Sequence, residues 1–236
     1  MIRFYQLASL VTLAAIGSWA AATSSAAPIS TALSSASTGS ELVPFTVSSI
    51  DIGQTMGTWS VVSGNPNGTL ISNLNDGTKY GAFDQSNTNE ALFPANGLVG
   101  QLTFSAPVDI TSIESLTGSG PGQVRTGQAY NVQYSLDGLI FQALATVGGE
   151  LNNNDLASFE TKVTIVDSLA GPLAINVKAL RFTFQNVGVD GESMYREIDV
   201  FGAATAVPEA GGLAIWSVAG FLGLTVVALR RRRQRA

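Results

Sequence analysis

The stretch YNVQYSLDGLIF, residues 130–141, decides the fold class. Apolar and polar residues alternate in it, so Tyr130, Val132 and Tyr134 fall on one side of an extended chain and the residues between them on the other. Asp137-Gly138 then interrupts the alternation with a dipeptide that is typical of tight hairpin turns. The stretch therefore predicts two antiparallel strands joined by a short turn.

The same period of two recurs in QLTF (101–104), KVTIV (162–166), ALRFTF (179–184) and REIDVFG (196–202), and we expect Pro107 to end the first of these strands. No helical segment longer than a turn or two separates them. The pattern predicts an all-β fold, an antiparallel β-sandwich of the jelly-roll kind spanning residues 43–204. Its expected inward side chains are Leu102, Phe104, Val163, Ile165, Leu180, Phe182, Phe184, Ile198 and Val200.

The composition excludes several classes of function. The chain of 236 residues contains no cysteine and no histidine. Disulfides, thiol nucleophiles, zinc sites built from Cys and His, and catalytic triads that use His are therefore all excluded.

Charge is unevenly distributed along the chain. All 17 acidic residues lie between Glu41 and Glu209, where only six basic residues stand, so this part carries a net charge of −11. Nucleic acid and anionic lipid would be repelled by such a domain. Divalent cations and neutral ligands suit it better.

The first residues have the layout of a secretory signal peptide, which we assign to residues 1–26. Arg3 precedes an apolar stretch from Leu7 to Trp19, and small residues that suit cleavage follow it. An uncleaved anchor is the alternative. Residues 27–42, rich in Ser, Thr and Ala, are expected to form a flexible linker.

Residues 205–236 combine three features that suit membrane insertion. The apolar run from Leu213 to Leu229 would span about 26 Å as a helix, and Ala210, Gly211 and Gly212 extend it to the thickness of a bilayer. We predict a transmembrane helix over residues 211–229. The Arg cluster at 230–235 would remain in the cytoplasm, so the acidic domain would lie outside.

Val207, Pro208 and Glu209, followed by this apolar segment and the arginines, resemble the PEP-CTERM sorting signal of Gram-negative bacteria that produce exopolysaccharide. The resemblance implies processing by an exosortase, a membrane enzyme that removes the helix. Ala210, the last residue of the motif at 207–210, stands where the family usually has a second proline. A plain C-terminal anchor is the alternative.

The phrases NLNDGTKYG, LVGQLTFSAPVDITSIESLTG, YNVQYSLDGLIFQAL, VKALRFTFQN and YREIDVFG, in that order, resemble discoidin-like domains, which are galactose-binding-like sandwiches. The resemblance implies eight strands, with loops at one end that commonly bind sugars. It also implies a structural calcium ion, Ca2+, for which Asp76, Thr78 and Glu197 are the candidate ligands. The alternatives are an ordinary turn residue for Asp76 and a solvated strand residue for Glu197.

Sugar binding commonly requires exposed aromatic side chains beside polar groups. Tyr80, Phe83 and Arg125 stand in segments that resemble loops and are our candidate glycan-binding residues; packing or solvated surface is the alternative for each. Trp59 and Phe93 also stand in or beside such segments.

Together these features predict an exported protein of the cell surface or extracellular matrix. We expect it to bind extracellular polysaccharide or to mediate adhesion, and to have no catalytic activity. A small surface glycoside hydrolase that uses a pair of carboxylates and a structural coat protein without a ligand site are the alternatives.

Overall fold

The computed structural model of the chain describes residues 28–37, 48, 50–67, 69–77, 94–119, 127–150, 158–187 and 193–205. Every strand pairing among them is antiparallel, which confirms the predicted all-β class. Helix α1 (Ile52–Met56) and a 3-10 helix (Ile71–Asn75) are each five residues long. The strands are β1 (Pro28–Ser37), β2 (Gly57–Ser63), β3 (Val99–Ser119), β4 (Gln128–Ser135), β5 (Gln142–Glu150), β6 (Ser158–Asp167), β7 (Ala174–Gln185) and β8 (Tyr195–Ala204).

Strand β3 belongs to both layers of the sandwich. Its residues 99–103 pair with β2 and β7, and its residues 112–117 pair with β6 and β8. The first layer therefore has the order β2-β3-β7-β4-β5 and the second layer the order β8-β3-β6-β1. The expectation that Pro107 ends this strand is wrong. The register with β7 shifts between Thr103 and Val108 instead, because proline has no N–H to donate to the ladder.

The two layers meet in an aromatic core. Tyr195 of β8 packs on Phe184 of β7 and Tyr130 of β4, with ring centroids 4.9 and 6.0 Å apart. Each aromatic pair of this kind contributes about 0.5–1.5 kcal/mol beyond the burial of its surface. The inward side chains predicted from the alternation are all buried, which confirms the faces assigned to these strands.

The sandwich has two distinct ends. At the corner end, residues 174–177 of β7 and 202–204 of β8 both reach residues 108–110 of β3. At the loop end, β3 ends at Ser119, and β4 and β8 begin at Gln128 and Tyr195. The β4–β5 hairpin lies at the corner end, because Ser135 pairs with Ala179 on the corner side of β7.

The Asp137-Gly138 turn of this hairpin is confirmed. Gly138 has φ +80°, a conformation that favours glycine. The Asp137 carboxylate accepts hydrogen bonds from the N–H groups of Leu139 (2.8 Å) and Ile140 (2.9 Å). These donors lower the pKa of Asp137, so the ionised side chain stabilises the turn.

The interpretation of residues 27–42 as a flexible linker is wrong for Pro28–Ser37. This segment forms β1, which pairs with β6 over ten consecutive positions, from Pro28 opposite Asp167 to Ser37 opposite Ser158. The pairing uses backbone groups, so it does not need the large alternating side chains that identify a strand in a sequence. Small Ser, Thr and Ala side chains are sufficient at the edge of the second layer.

The predicted signal peptide at residues 1–26 lies outside the described residues, as do residues 206–236 with the predicted transmembrane helix. Within the described part of the chain, no helix is long and apolar enough to cross a membrane.

Candidate functional site

Three carboxylates are buried together where α1 and the 3-10 helix pack against β8. Asp51 precedes α1, and Glu197 and Asp199 lie two residues apart in β8. Because Ile198 and Val200 occupy the core face of β8, these two acids lie on its other face, beneath the helices. Their exposed fractions are 3%, 1% and 4% for Asp51, Glu197 and Asp199. We call these three residues the acidic junction.

Each carboxylate of the acidic junction has one bonded oxygen. Asp51 Oδ1 caps α1 by accepting from Gln54 N (3.2 Å), and it also accepts from Val200 N (3.0 Å). Asp199 Oδ2 accepts from the N–H of residue 48 at 2.9 Å, and Glu197 Oε1 accepts from the N–H of residue 77 at 3.2 Å. Among the described residues, no donor reaches the buried Oδ2 of Asp51, Oε2 of Glu197 or Oδ1 of Asp199.

Burial makes ionisation of these acids unfavourable. It raises the pKa of Glu197 to about 9, and the charges of Asp199, Asp76 and Asp51 act in the same direction. Burial likewise raises the pKa of Asp199 to about 7 and raises the pKa of Asp51. The junction therefore favours bound protons or a compensating cation.

The structure brings together two of the three candidate calcium ligands. Asp76 is the C-cap of the 3-10 helix, and Gly77, the next residue, donates its N–H to Glu197. Thr78 lies outside the described residues. The alternative that Glu197 is a solvated strand residue is wrong, since its side chain is buried.

A hard cation such as calcium prefers oxygen ligands, and the junction offers them. Besides the free carboxylate oxygens, Gln54 Oε1 is buried and has no described partner. No group of three or more acidic side chains within the described residues is arranged to hold a metal by itself. The oxygens present suit calcium in kind, and carbonyl or amide oxygens would have to complete the ligand set.

Sequence reasoning missed Asp51 and Asp199. A signal for Asp199 was available, because REIDV places two acids on one face of a strand. Asp51 stands directly before the apolar residue Ile52, where an N-cap is found, but its distance of 146 positions from Glu197 concealed their contact.

The candidate glycan-binding residues Tyr80, Phe83 and Arg125 lie outside the described residues, but the ends of their segments are described. The segment 78–93 leaves from Gly77 beside Glu197, and it returns at Pro94 close to where Gly97 N donates to Phe184 O (2.9 Å). The segment 120–126 leaves at the end of β3. Both segments thus join the sandwich at the loop end.

Trp59 lies in β2 rather than in a loop. Its side chain is 7% exposed and packs on Phe182, with ring centroids 5.3 Å apart. This tryptophan therefore belongs to the core and offers no surface to a sugar.

The buried acids are poorly placed for glycoside hydrolysis. A hydrolase needs two carboxyl groups on either side of a substrate bond. The side chains of Asp51, Glu197 and Asp199 are covered by α1 and the 3-10 helix, so a sugar chain has no access to them. The raised pKa of Glu197 is therefore explained by its burial.

No known protein family matches the sequence, and no curated protein matches it. The fold is similar to solved carbohydrate-binding modules from Clostridium perfringens. The family 32 module of NanJ, solved with galactose, is 18% identical, with a TM-score of 0.44 over 64% of this chain and 96% of that one. CBM32-5 of CpGH89, solved with GalNAc-β-1,3-galactose, is 18% identical, with a TM-score of 0.41 over 65% of this chain and 100% of that one.

Proposed function

We propose that the protein is an exported, non-catalytic module that binds extracellular glycan at the loop end of its sandwich. The observation that supports this is the convergence of two segments. The residues that precede 78–93 and 120–126 lie beside Glu197 and at the end of β3, and these segments carry Tyr80, Phe83 and Arg125. Aromatic rings and a cation held on a rigid sandwich are suited to sugar rings and their hydroxyl groups.

A calcium ion at the acidic junction is part of this proposal. Asp76, Thr78 and Glu197 would hold the ion, and the free oxygens of the junction support the choice. The ion would offset the negative charge of the buried acids and fix Gly77, from which the segment 78–93 departs. Its role would be structural.

The proposed location of the protein rests on the sequences of its two termini. We propose export by the signal peptide, insertion of residues 211–229 in the membrane and sorting by an exosortase at Val207, Pro208 and Glu209. Thr205, two residues before this motif, is tied to the sandwich, because its N–H donates to Pro107 O (2.9 Å). The protein would then reach the cell surface or the exopolysaccharide matrix of a Gram-negative-type bacterium.

A glycan array probed with the full chain in a nonionic detergent tests the binding proposal. We expect retention on one class of glycan, with a loss of about tenfold or more on Tyr80→Ala, Phe83→Ala or Arg125→Ala, in line with the removal of a central contact. Lys178→Ala, which removes a cation from β7, is the matched control and should bind as the wild type does.

The same protein preparation distinguishes the glycan-binding module from the glycoside hydrolase and from the coat protein. Hydrolysis of a chromogenic glycoside that is lost on changing one carboxylate would establish the hydrolase and contradict the proposal. Retention of no glycan, with or without calcium, would favour the coat protein.

A further inference from the structure

A row of polar side chains crosses four strands on the outer face of the first layer. Ser60 of β2 lies opposite Gln101 of β3, Gln101 opposite Arg181 of β7, and Arg181 opposite Gln133 of β4. Each of the four side chains reaches solvent, while Phe182, the neighbour of Arg181, points into the core. Neighbouring strands lie about 4.8 Å apart, a spacing comparable with the size of a hexose ring.

Arg181 is held in place from two sides. Its guanidinium lies over the ring of Phe141, 3.7 Å from the centroid, and its Nε donates to Gln101 Oε1 at 2.8 Å. Gln101 is itself fixed, because its Nε2 donates to Thr103 Oγ1 at 3.0 Å. The side-chain entropy of Arg181 is thus already reduced, and a ligand that binds it loses less.

Among the described residues, no acceptor is bonded to the two terminal nitrogens of Arg181. In the described part of the chain only Gln101 accepts a hydrogen bond from this guanidinium. Lys162, by contrast, forms an ion pair with Glu114 (2.5 Å). The part of the chain from Glu41 to Glu209 carries a net charge of −11. Within it, an ordered arginine that contacts an aromatic ring and an amide is well suited to bind an acidic group of a ligand.

We propose that this face is a second glycan site, selective for a polysaccharide with sparse carboxylate groups. Arg181 would pair in bidentate fashion with the carboxylate of one uronic acid, since its planar fork matches that group. Gln133 and Ser60 would bond hydroxyl groups of sugars on either side. A densely charged polymer is disfavoured, because the net charge of the domain is negative. The site is separate from the loop end and extends the proposed function to acidic glycans.

Hyaluronan, with one carboxylate in each disaccharide, is a suitable test ligand. The full chain in nonionic detergent is applied to immobilised hyaluronan, carboxyl-reduced hyaluronan, polygalacturonate and dextran. We expect binding to hyaluronan that exceeds binding to the other three polymers. Equal binding to the native and the carboxyl-reduced polymer, or binding to neither, would overturn the inference.

Substitutions on β7 and at Phe141 test whether hyaluronan binds at this face. Arg181→Gln should weaken hyaluronan binding about tenfold or more, and Arg181→Lys, which keeps the charge without the fork, should be intermediate. Lys178→Gln removes the same charge from the same strand and should bind as the wild type does. Phe141→Leu leaves the charge in place and should weaken binding less than Arg181→Gln does, which provides a second result if Arg181→Gln impairs folding.

Arg125→Gln separates this inference from the proposed function. If hyaluronan binding falls with Arg125→Gln and not with Arg181→Gln, the loop end is the site for acidic glycans, and the inference is overturned while the proposed function stands. If it falls with Arg181→Gln alone, the sheet face is established whatever the loop end binds.

Discussion

The side chain of Glu197 is buried, and this makes the stability of the folded protein depend on pH. Its pKa is 4.5 in the unfolded reference and about 9 in the folded protein. Between these values the folded state keeps a proton that the unfolded state releases, so the free energy of unfolding falls as pH rises. The stabilisation is complete below the unfolded pKa and is lost as pH rises through the folded pKa.

Glu197→Gln tests this coupling. The amide can still accept from Gly77 N but cannot ionise, so in chelator the variant should lose less stability than the wild type between about pH 5 and about pH 9. We expect a difference in Tm on the order of 5 °C at the alkaline end, given about 2–4 °C per kcal/mol for a domain of this size. Differential scanning calorimetry measures it. Asp167→Asn, at the last residue of β6, is the control and should follow the wild-type profile.

Calcium should reverse this dependence if the junction binds it. By mass action, added calcium should raise the Tm of the wild type most at alkaline pH, where the carboxylates ionise readily, and should raise that of Glu197→Gln little. A wild-type Tm that is unchanged when calcium is titrated into metal-stripped protein would contradict the calcium proposal.

Gly77 links the junction to the segment 78–93. It has φ +71°, and a Cβ there would collide with the side-chain amide of Gln54. Gly77→Ala should therefore destabilise the fold by about 1 kcal/mol through its conformation, and it should reduce the calcium response because the added Cβ displaces the Gln54 amide. Gly97→Ala is a matched control, because Gly97 has φ +81° and open space around it. An equal rise of Tm with calcium in the two variants would contradict the role of Gly77.

For single residues, the sequence shows which side chains carry charge but not which of them are buried. Asp76 and Glu197 were chosen as candidate ligands through an ordered set of phrases that resembles a family. Asp51 and Asp199 were missed because burial of an acid depends on α1 and the 3-10 helix covering β8, and a strand pattern alone leaves that face solvated.

At the scale of elements, β1 is held mainly by its ladder with β6. Ala32→Pro combined with Leu33→Pro should break this ladder at its centre, opposite Val163 and Lys162. One of two successive N–H groups in an antiparallel strand faces the partner strand, and proline cannot donate it. Hydrogen exchange of the β6 amides should then become faster, while the exchange of β4 stays unchanged. Ala32→Ser is the control. Unchanged protection of β6 would show that β1 is not paired in solution.

The predicted strands at 101–104 and 180–184 share one property: each buries one face and leaves the other partly exposed. Leu180, Phe182 and Phe184 alternate with polar residues because one face of the layer packs in the core and the other contacts solvent. β1 has no such alternation in its Ser and Ala residues, so its sequence is indistinguishable from a linker. The continuation of β3 beyond Pro107 was unpredictable for a different reason, since partners from two layers support it on either side of the bend.

For the whole molecule, the sorting proposal gives a prediction of mass. In a host that has exosortase, the mature surface form should lack Leu213–Ala236, because cleavage near Val207, Pro208 and Glu209 removes the apolar segment and the arginines. Intact mass spectrometry of the surface fraction measures this. Glu209→Ala should leave the protein unprocessed in the membrane fraction, and a mature wild-type form that retains Arg230–Arg233 would contradict the proposal.

Because β3 passes through both layers, it couples the unfolding of one layer to the unfolding of the other. One strand of 21 residues is the shared partner of β2, β6, β7 and β8. Neither layer can therefore open along β3 without weakening the other, and the two layers should not behave as separate cooperative units. Many of these pairings join distant parts of the sequence, so folding should be slow, limited by the closure of long loops around β3.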